Sequence, residues 1–178
     1  MACDLTITGR SLPCRDALGG VRKVWICTAA QGTDHWDAID ATGEVPDTSA
    51  AATYNDFLSP KNTSSFTQTI NASMENGTVY YTQVLSLVLN KIEASDITMM
   101  ENLGKGRLSI VVQDNNLNYF VMGHARGCLM TGGTIATGAA MGDLNGFTLE
   151  FTAEDVDAAP FLPVAASGLP NTTNATFS

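Results

Sequence analysis

Apolar side chains fall along this chain in short alternating or continuous runs, the spacing of β-strands, and only once at helical spacing. The longest run lies between Gly77 and Ile92. One parity carries Val79, Tyr81, Gln83, Leu85, Leu87 and Leu89; the other carries Tyr80, Thr82, Val84, Ser86, Val88 and Asn90. Both faces are substantially apolar, which predicts a strand covered on both sides. At roughly 14 residues it exceeds the usual ~5–6, a length suited to a sheet that continues from one subunit into the next.

Shorter strands are predicted around it. Asp4–Thr8 alternates with period two, Val21–Cys27 is β-branched and aromatic, and Gly19-Gly20 between them marks a turn. The segment from Gln31 to Thr78 is polar, rich in Ala, Thr and Ser, and broken by Pro46 and Pro60. Within it Ile39–Val45 and Ser65–Ala72 are strand candidates, Ser49–Leu58 is ambiguous, and the stretch from about 31 to 73 reads as a long loop or arm. One helix is expected after Ser95, with Ser95 as N-cap, Asp96 favouring the helix dipole, Ile97, Met100 and Leu103 as an apolar stripe, and Gly104 as a left-handed C-terminal residue. Arg107–Gln113 and Asn118–Gly123 flank Asp114-Asn115-Asn116-Leu117, a β-hairpin signal. Gly127–Thr131 is a further strand, Gly132–Gly142 a glycine-rich connector, and Gly146–Thr152 the last strand, with Phe147, Leu149 and Phe151 on one face. From residue 154 to 178 the chain holds Pro160, Pro163 and Pro170 and ends polar, so it is expected to be extended rather than packed. The domain reading is one β-sandwich over residues 1–153 and a tail over 154–178.

Composition adds a preference for association. Hydrophobic residues are 44% of the 178, enough for one core, while charged residues are 15%, against about 25% in average globular proteins. A surface this poor in charge is easily buried against a neighbour. The net charge is −9, and no Lys or Arg follows Arg126, whereas Asp143, Glu150, Glu154, Asp155 and Asp157 do. Because phosphate backbones reward basic surfaces, tight nucleic-acid binding is not expected, although an acidic wall past which DNA slides is compatible with this charge. Met1–Arg10 lacks a secretory apolar core, and no apolar run approaches the ~18 residues that span a bilayer. Reduced thiols are therefore expected for Cys3, Cys14, Cys27 and Cys128. The Asn-x-Ser/Thr triplets at Asn62, Asn71, Asn76, Asn171 and Asn174 are read as chance.

Each candidate for chemistry has a plainer structural explanation. Gly132–Gly142 has neither the lysine of a phosphate loop nor the glycine spacing of a dinucleotide site. His124 and Cys128, if on one strand, lie roughly 13 Å apart, too far for a nucleophile pair. His35 beside Asp34 and Asp37 lacks a fourth ligand, and the cysteines lack paired short spacings. Glu154, Asp155 and Asp157 read as solvated or lumen charge. Met99, Met100 and Met141 read as packing. Tyr80, Tyr81, Tyr119 and Phe120 could stack on bases only with more cations than Lys105 and Arg107 supply. No catalytic, cofactor-binding or metal-ligating residue is assigned, and no cofactor is expected.

The order of elements carries a resemblance. The long strand Val79–Lys91, the short helix, Arg107–Asn116, Tyr119–Gly123, Gly132-Gly133-Thr134 to Gly138, and Gly142-Asp143-Leu144-Asn145-Gly146-Phe147-Thr148-Leu149-Glu150-Phe151-Thr152 resemble bacteriophage tail tube proteins. So does the opening, Cys3–Ile26, with Leu12-Pro13-Cys14-Arg15-Asp16 and Gly19-Gly20-Val21. The resemblance covers about two thirds of the chain, and its motifs are strand and turn patterns. It implies a mainly β subunit, a β-sandwich or split barrel with one flanking helix, that closes into hexameric rings. The rings would stack into a tube through which DNA passes without specific binding, in a virion tail made in the bacterial host cytoplasm. The implied partners are further copies of the chain and tail proteins such as sheath, terminator or baseplate, with no membrane. Two other readings stay open: another virion β-sandwich part (head–tail joining ring, tail terminator or capsid decoration protein), or a monomeric ligand-binding β-sandwich.

Overall fold

The computed structural model describes residues 16–28, 54–162 and the backbone of 172–173. The strands are β1 (Val21–Thr28), β2 (Tyr54–Leu58), β3 (Ser65–Ser73), β4 (Thr78–Asn90), β5 (Leu108–Asp114), β6 (Tyr119–Met122), β7 (Leu129–Ala136), β8 (Gly146–Asp155), β9 (Phe161–Leu162) and β10 (Thr172–Thr173), with one helix, α1 (Ala94–Leu103), between β4 and β5. They form two sheets, a six-stranded one in the order β10-β2-β1-β5-β6-β9 and a four-stranded one in the order β3-β4-β8-β7. All pairings are antiparallel except that of β10 with β2. The chain is mainly β with one short helix, in two sheets packed face to face.

The core lies between the sheets because both present apolar side chains at alternate positions. Val24, Ile26, Ile110, Val112 and Met122 come from the six-stranded sheet, and Leu85, Leu87, Phe147, Leu149 and Phe151 from the four-stranded one; all are buried in one cluster. A second cluster lies on the far face of the six-stranded sheet, where Trp25, Cys27, Tyr54, Val111, Val121 and Leu162 are buried. Strand β5, buried at six consecutive positions, is therefore the two-sided central strand of the molecule. The two-sided coverage expected of β4 is met on one face only. Its inner residues Gln83, Leu85 and Leu87 are buried, while Thr82, Val84, Ser86 and Val88 on the other face remain half-exposed and Tyr80 exposed.

The helix begins two residues earlier than the sequence suggests. Glu93 is the N-cap, in a capping box: its side chain accepts from the backbone of Asp96, and the Asp96 carboxylate accepts the Glu93 N–H at 3.2 Å. Ser95 lies inside the first turn, and Gly104 is right-handed rather than left-handed, at φ −71°. The buried face is Asp96, Met100 and Leu103, whereas Ile97 points outward. The cap, satisfying orphan N–H groups with carboxylates, set the start in place of the apolar spacing.

Three other expectations change. The glycine-rich connector is strand as far as Ala136, because β8 supplies a full ladder of partners for it. The expected arm of residues 31–73 is not all loop: the ambiguous Ser49–Leu58 supplies β2, while the strand candidate Ser65–Ala72 is borne out as β3. The described part of the tail, to Leu162, is packed as well as extended: β8 runs on to Asp155, Ala159 and Leu162 are buried, and β9 pairs with β6. The hairpin β5–β6 follows the sequence, with its positive φ taken by Leu117 at 66°. The strand candidates Asp4–Thr8 and Ile39–Val45 lie outside the described residues.

Candidate assembly surface

The four-stranded sheet carries 40 residues in its strands, from lengths of 9, 13, 8 and 10. None is Lys, Arg or His, and Glu150, Glu154 and Asp155 are the acids. The pairing register sorts these side chains by face, since directly opposed residues in an antiparallel ladder point the same way. Phe66, Leu85, Phe151 and Met130 fall on the core side. The outer side carries Ser65, Thr67, Thr69, Asn71 and Ser73 from β3, Tyr80, Thr82, Val84, Ser86 and Val88 from β4, Thr148, Glu150, Thr152 and Glu154 from β8, and Leu129, Gly132, Thr134 and Ala136 from β7, with Leu129 an exposed apolar exception at the β7 edge. This face is hydroxyl-rich, and its only ionised groups are carboxylates. Local hydrogen bonds tie it together, from Asn71 Nδ2 to Thr82 Oγ1 at 2.8 Å and between the hydroxyls of Thr131 and Thr152 at 3.0 Å.

Among the described residues the sheet has two free edges. β3, nine residues long, pairs only with β4, and β7, eight residues long, pairs only with β8 among the described residues. Neither contains Lys, Arg, Asp, Glu or Pro, the usual devices that stop an edge from recruiting another strand. Strand direction alternates across β3-β4-β8-β7, so the β7 edge of one copy beside the β3 edge of the next would continue the antiparallel order. Beneath β3 the seam between the sheets is closed by aromatic rings: Phe66 stacks on Phe120 with centroids 5.8 Å apart, and Phe120 on Phe161 at 4.7 Å.

The inner face and one end are held by buried polar groups. Gln83 is fully buried, accepts the Gly123 N–H at 3.0 Å, and donates to the Asp157 carbonyl at 3.4 Å. Asp155 is buried and accepts the Ala125 N–H at 2.9 Å. These bonds fix the β6–β7 turn and the exit from β8. Of the acidic trio, then, Asp155 is a structural group inside the sandwich, Glu154 lies on the outer face, and Asp157 is exposed.

The cysteine and histidine candidates do not converge on a reactive site. Cys128 is buried and donates its thiol to the Leu108 carbonyl at 3.2 Å. Burial pushes the thiols of Cys27 and Cys128 up, which holds them in the unreactive protonated form. Burial likewise raises the phenol of Tyr54, whose hydroxyl lies 3.3 Å from Ser109 Oγ. His124 belongs to the turn after β6 and Cys128 to the bridge before β7, not to one strand. Asp143 is exposed, and the N–H groups of Ala140 and Ala139 hold its carboxyl below the usual range. Among the described residues no three His, Cys, Asp or Glu side chains converge as metal ligands, and no helix is long and apolar enough to cross a membrane. His35, Asp34, Asp37, Cys3 and Cys14 lie outside the described residues. Of the apolar candidates, Met100 is core, Met99 is half-buried, and Met141 is fully exposed on the β7–β8 loop. Tyr81 and Tyr119 are half-buried and Tyr80 exposed.

No protein-family model matches the sequence, and no curated protein matches it. The surface itself is what the functional reading rests on. Sequence reasoning placed the start of β7 in the strand candidate Gly127–Thr131 but missed its continuation through the glycines and that β3 and β7 are edges; the absence of charge and proline in Leu129–Ala136 was the signal available.

Proposed function

We propose that the protein is a non-catalytic structural subunit of a bacteriophage tail tube. Copies join through their four-stranded sheets into a ring, and rings stack around a DNA passage. The observation that carries this reading is the four-stranded sheet with two unprotected edges of matching antiparallel sense. Ring closure would pair every such edge, which is how closed β-structures remove the hazard of open ones. The outer face of the same sheet supports the second half of the reading. A wall rich in hydroxyls and carboxylates, with no cation in its strands, offers phosphate no counter-charge, as a conduit requires. In the hexameric arrangement that the sequence resemblance implies, this face lines the lumen and the six-stranded sheet faces outward, toward further tail proteins.

Negative-stain microscopy of the purified full chain tests the proposal. Rings or tubes of uniform diameter are expected. Monodisperse monomers at high protein concentration would overturn it and favour a monomeric ligand-binding sandwich, and closed rings that never stack would favour a joining or terminator ring.

A further inference from the structure

The hairpin β3–β4 extends past the rest of the sandwich. Strand β8 pairs with β4 only from Tyr81 to Asn90, so Asn71–Ser73 and Thr78–Tyr80 form a two-stranded overhang, with Ile70 at its base opposite Tyr81, ending in the turn at residues 74–77. By register Ile70, Ala72 and Val79 lie on the core-facing side of the sheet, yet among the described residues no second sheet covers them there. Ile70 is 66% exposed, Val79 57% and Met74, at the tip, 99%. The tip's one ionisable group is Glu75, which has no ion pair among the described residues. A two-stranded ribbon with bare apolar side chains is marginal alone in water.

The opposite end of β4 carries a complementary feature. A cleft of about 590 Å³ opens there, lined by Phe57, Leu58, Leu89, Met99, Met100 and Phe147 among others. Its acidic lining groups are already engaged: Asp56 by Lys23 at 2.7 Å, Glu93 by Lys91, and Asp96 in the helix cap. Lys61, beside the lining residue Pro60, is exposed and has no ion pair among the described residues. The cleft thus offers an apolar floor, with an available cation one residue beyond its lining, against an apolar tip with an available carboxylate.

We infer that the β3–β4 overhang of one copy seats Met74, Val79 and Ile70 in the cleft between α1 and the β2–β3 connection of another copy, head to tail, with Glu75 facing Lys61. The occupant is a second copy because knob and socket sit at opposite ends of one strand. Such a contact is heterologous and does not close on itself, so it propagates along the strand direction. It rests on the tube reading and assigns its ring-to-ring contact. β4 has 13 residues, and at ~3.4 Å per residue this gives an axial repeat of about 44 Å, shortened by any strand tilt.

Two variants of the full chain test the inference beside wild type, read by microscopy and sedimentation. Val79→Glu is expected to leave rings intact and reduce stacking at least about tenfold, because an unpaired carboxylate would be buried in the contact. Since that variant could also fold poorly, Met74→Cys/Met99→Cys provides a second readout. Under mild oxidation its tubes should give a ladder of disulfide-linked multimers absent from either single variant. Stacked tubes without a ladder, or Val79→Glu tubes of undiminished length, would overturn this contact while leaving the tube reading in place. A wild-type chain that forms neither rings nor tubes would sink the tube reading and this inference with it.

Discussion

Glycines at two paired strands show how far a single missing side chain decides local packing. Gly146 opens β8 opposite Asn90, and a Cβ there would overlap the Leu89 carbonyl oxygen and press on the backbone of Asn90. The backbone approach between β4 and β8 depends on that absence, and β4 and β8 are the central pair of the four-stranded sheet. Gly146→Ala is therefore expected to destabilise the fold by about 1–3 kcal/mol, the ordinary cost of overpacking, measured by urea or thermal unfolding. Gly132 is the control. A Cβ there meets nothing within 4 Å, its φ is not in the left-handed region, and Gly132→Ala is expected to be neutral or to stabilise by up to about 1 kcal/mol through the unfolded chain. Equal losses in the two variants would contradict this account.

The elements are joined by turns whose side chains do the work of backbone partners. In the β5–β6 hairpin the Asp114 carboxylate accepts four hydrogen bonds. Oδ1 takes the N–H groups of Asn116 and Asn118, both at 2.8 Å, and Oδ2 takes their side-chain amides at 3.1 and 3.0 Å. Asn116 also exchanges a pair of bonds with the backbone of Leu18, and Asn115 Nδ2 donates to the Gly19 carbonyl, so the segment before β1 is tied to this turn. Because the turn is exposed, each bond contributes little and the carboxylate acts mainly by holding the turn's conformation. Asp114→Ala is expected to cost about 1–2 kcal/mol, and Asp114→Asn, which keeps an acceptor, less. Urea unfolding measures both, and an alanine variant as stable as wild type would remove Asp114 from this role.

For the whole molecule, the decisive asymmetry is between the two sheets. The six-stranded sheet is covered on both faces, while the four-stranded sheet has one buried face and one polar, acidic face. If that acidic face lines a DNA passage, its charge serves to prevent adhesion. Glu150→Lys/Glu154→Lys places two cations where two carboxylates stood, a change of +4. The variant is expected to retain duplex DNA with an affinity that falls steeply with salt, with a slope of about −0.9 per phosphate neutralised, while wild type retains none. Fluorescence anisotropy across a salt series reads the difference. Wild type binding DNA as tightly as the variant would remove the argument from charge.

The sequence by itself determined most of the strands. Alternation at Val21–Cys27, Ser65–Ala72, Thr78–Asn90 and Gly146–Thr152 has one physical cause, the period of two that any half-buried strand imposes, and the Asp-Asn turn at residues 114–117 carries its own conformational preference. The charge of the outer face was also readable, because no fold can supply a cation that Leu129–Ala136 and Gly146–Asp155 do not contain. Tertiary structure decided what local preference leaves open. Leu129–Ala136 is a strand because β8 offers a ladder, although three of its eight residues are glycine or alanine and favour no strand alone. The tail packs because β6 leaves an edge for Phe161 and Leu162. Which face of β4 is covered, and that β3 and β7 are the edges, follow from strand order. Strand order is set by contacts between residues far apart in the chain, and no local pattern encodes it.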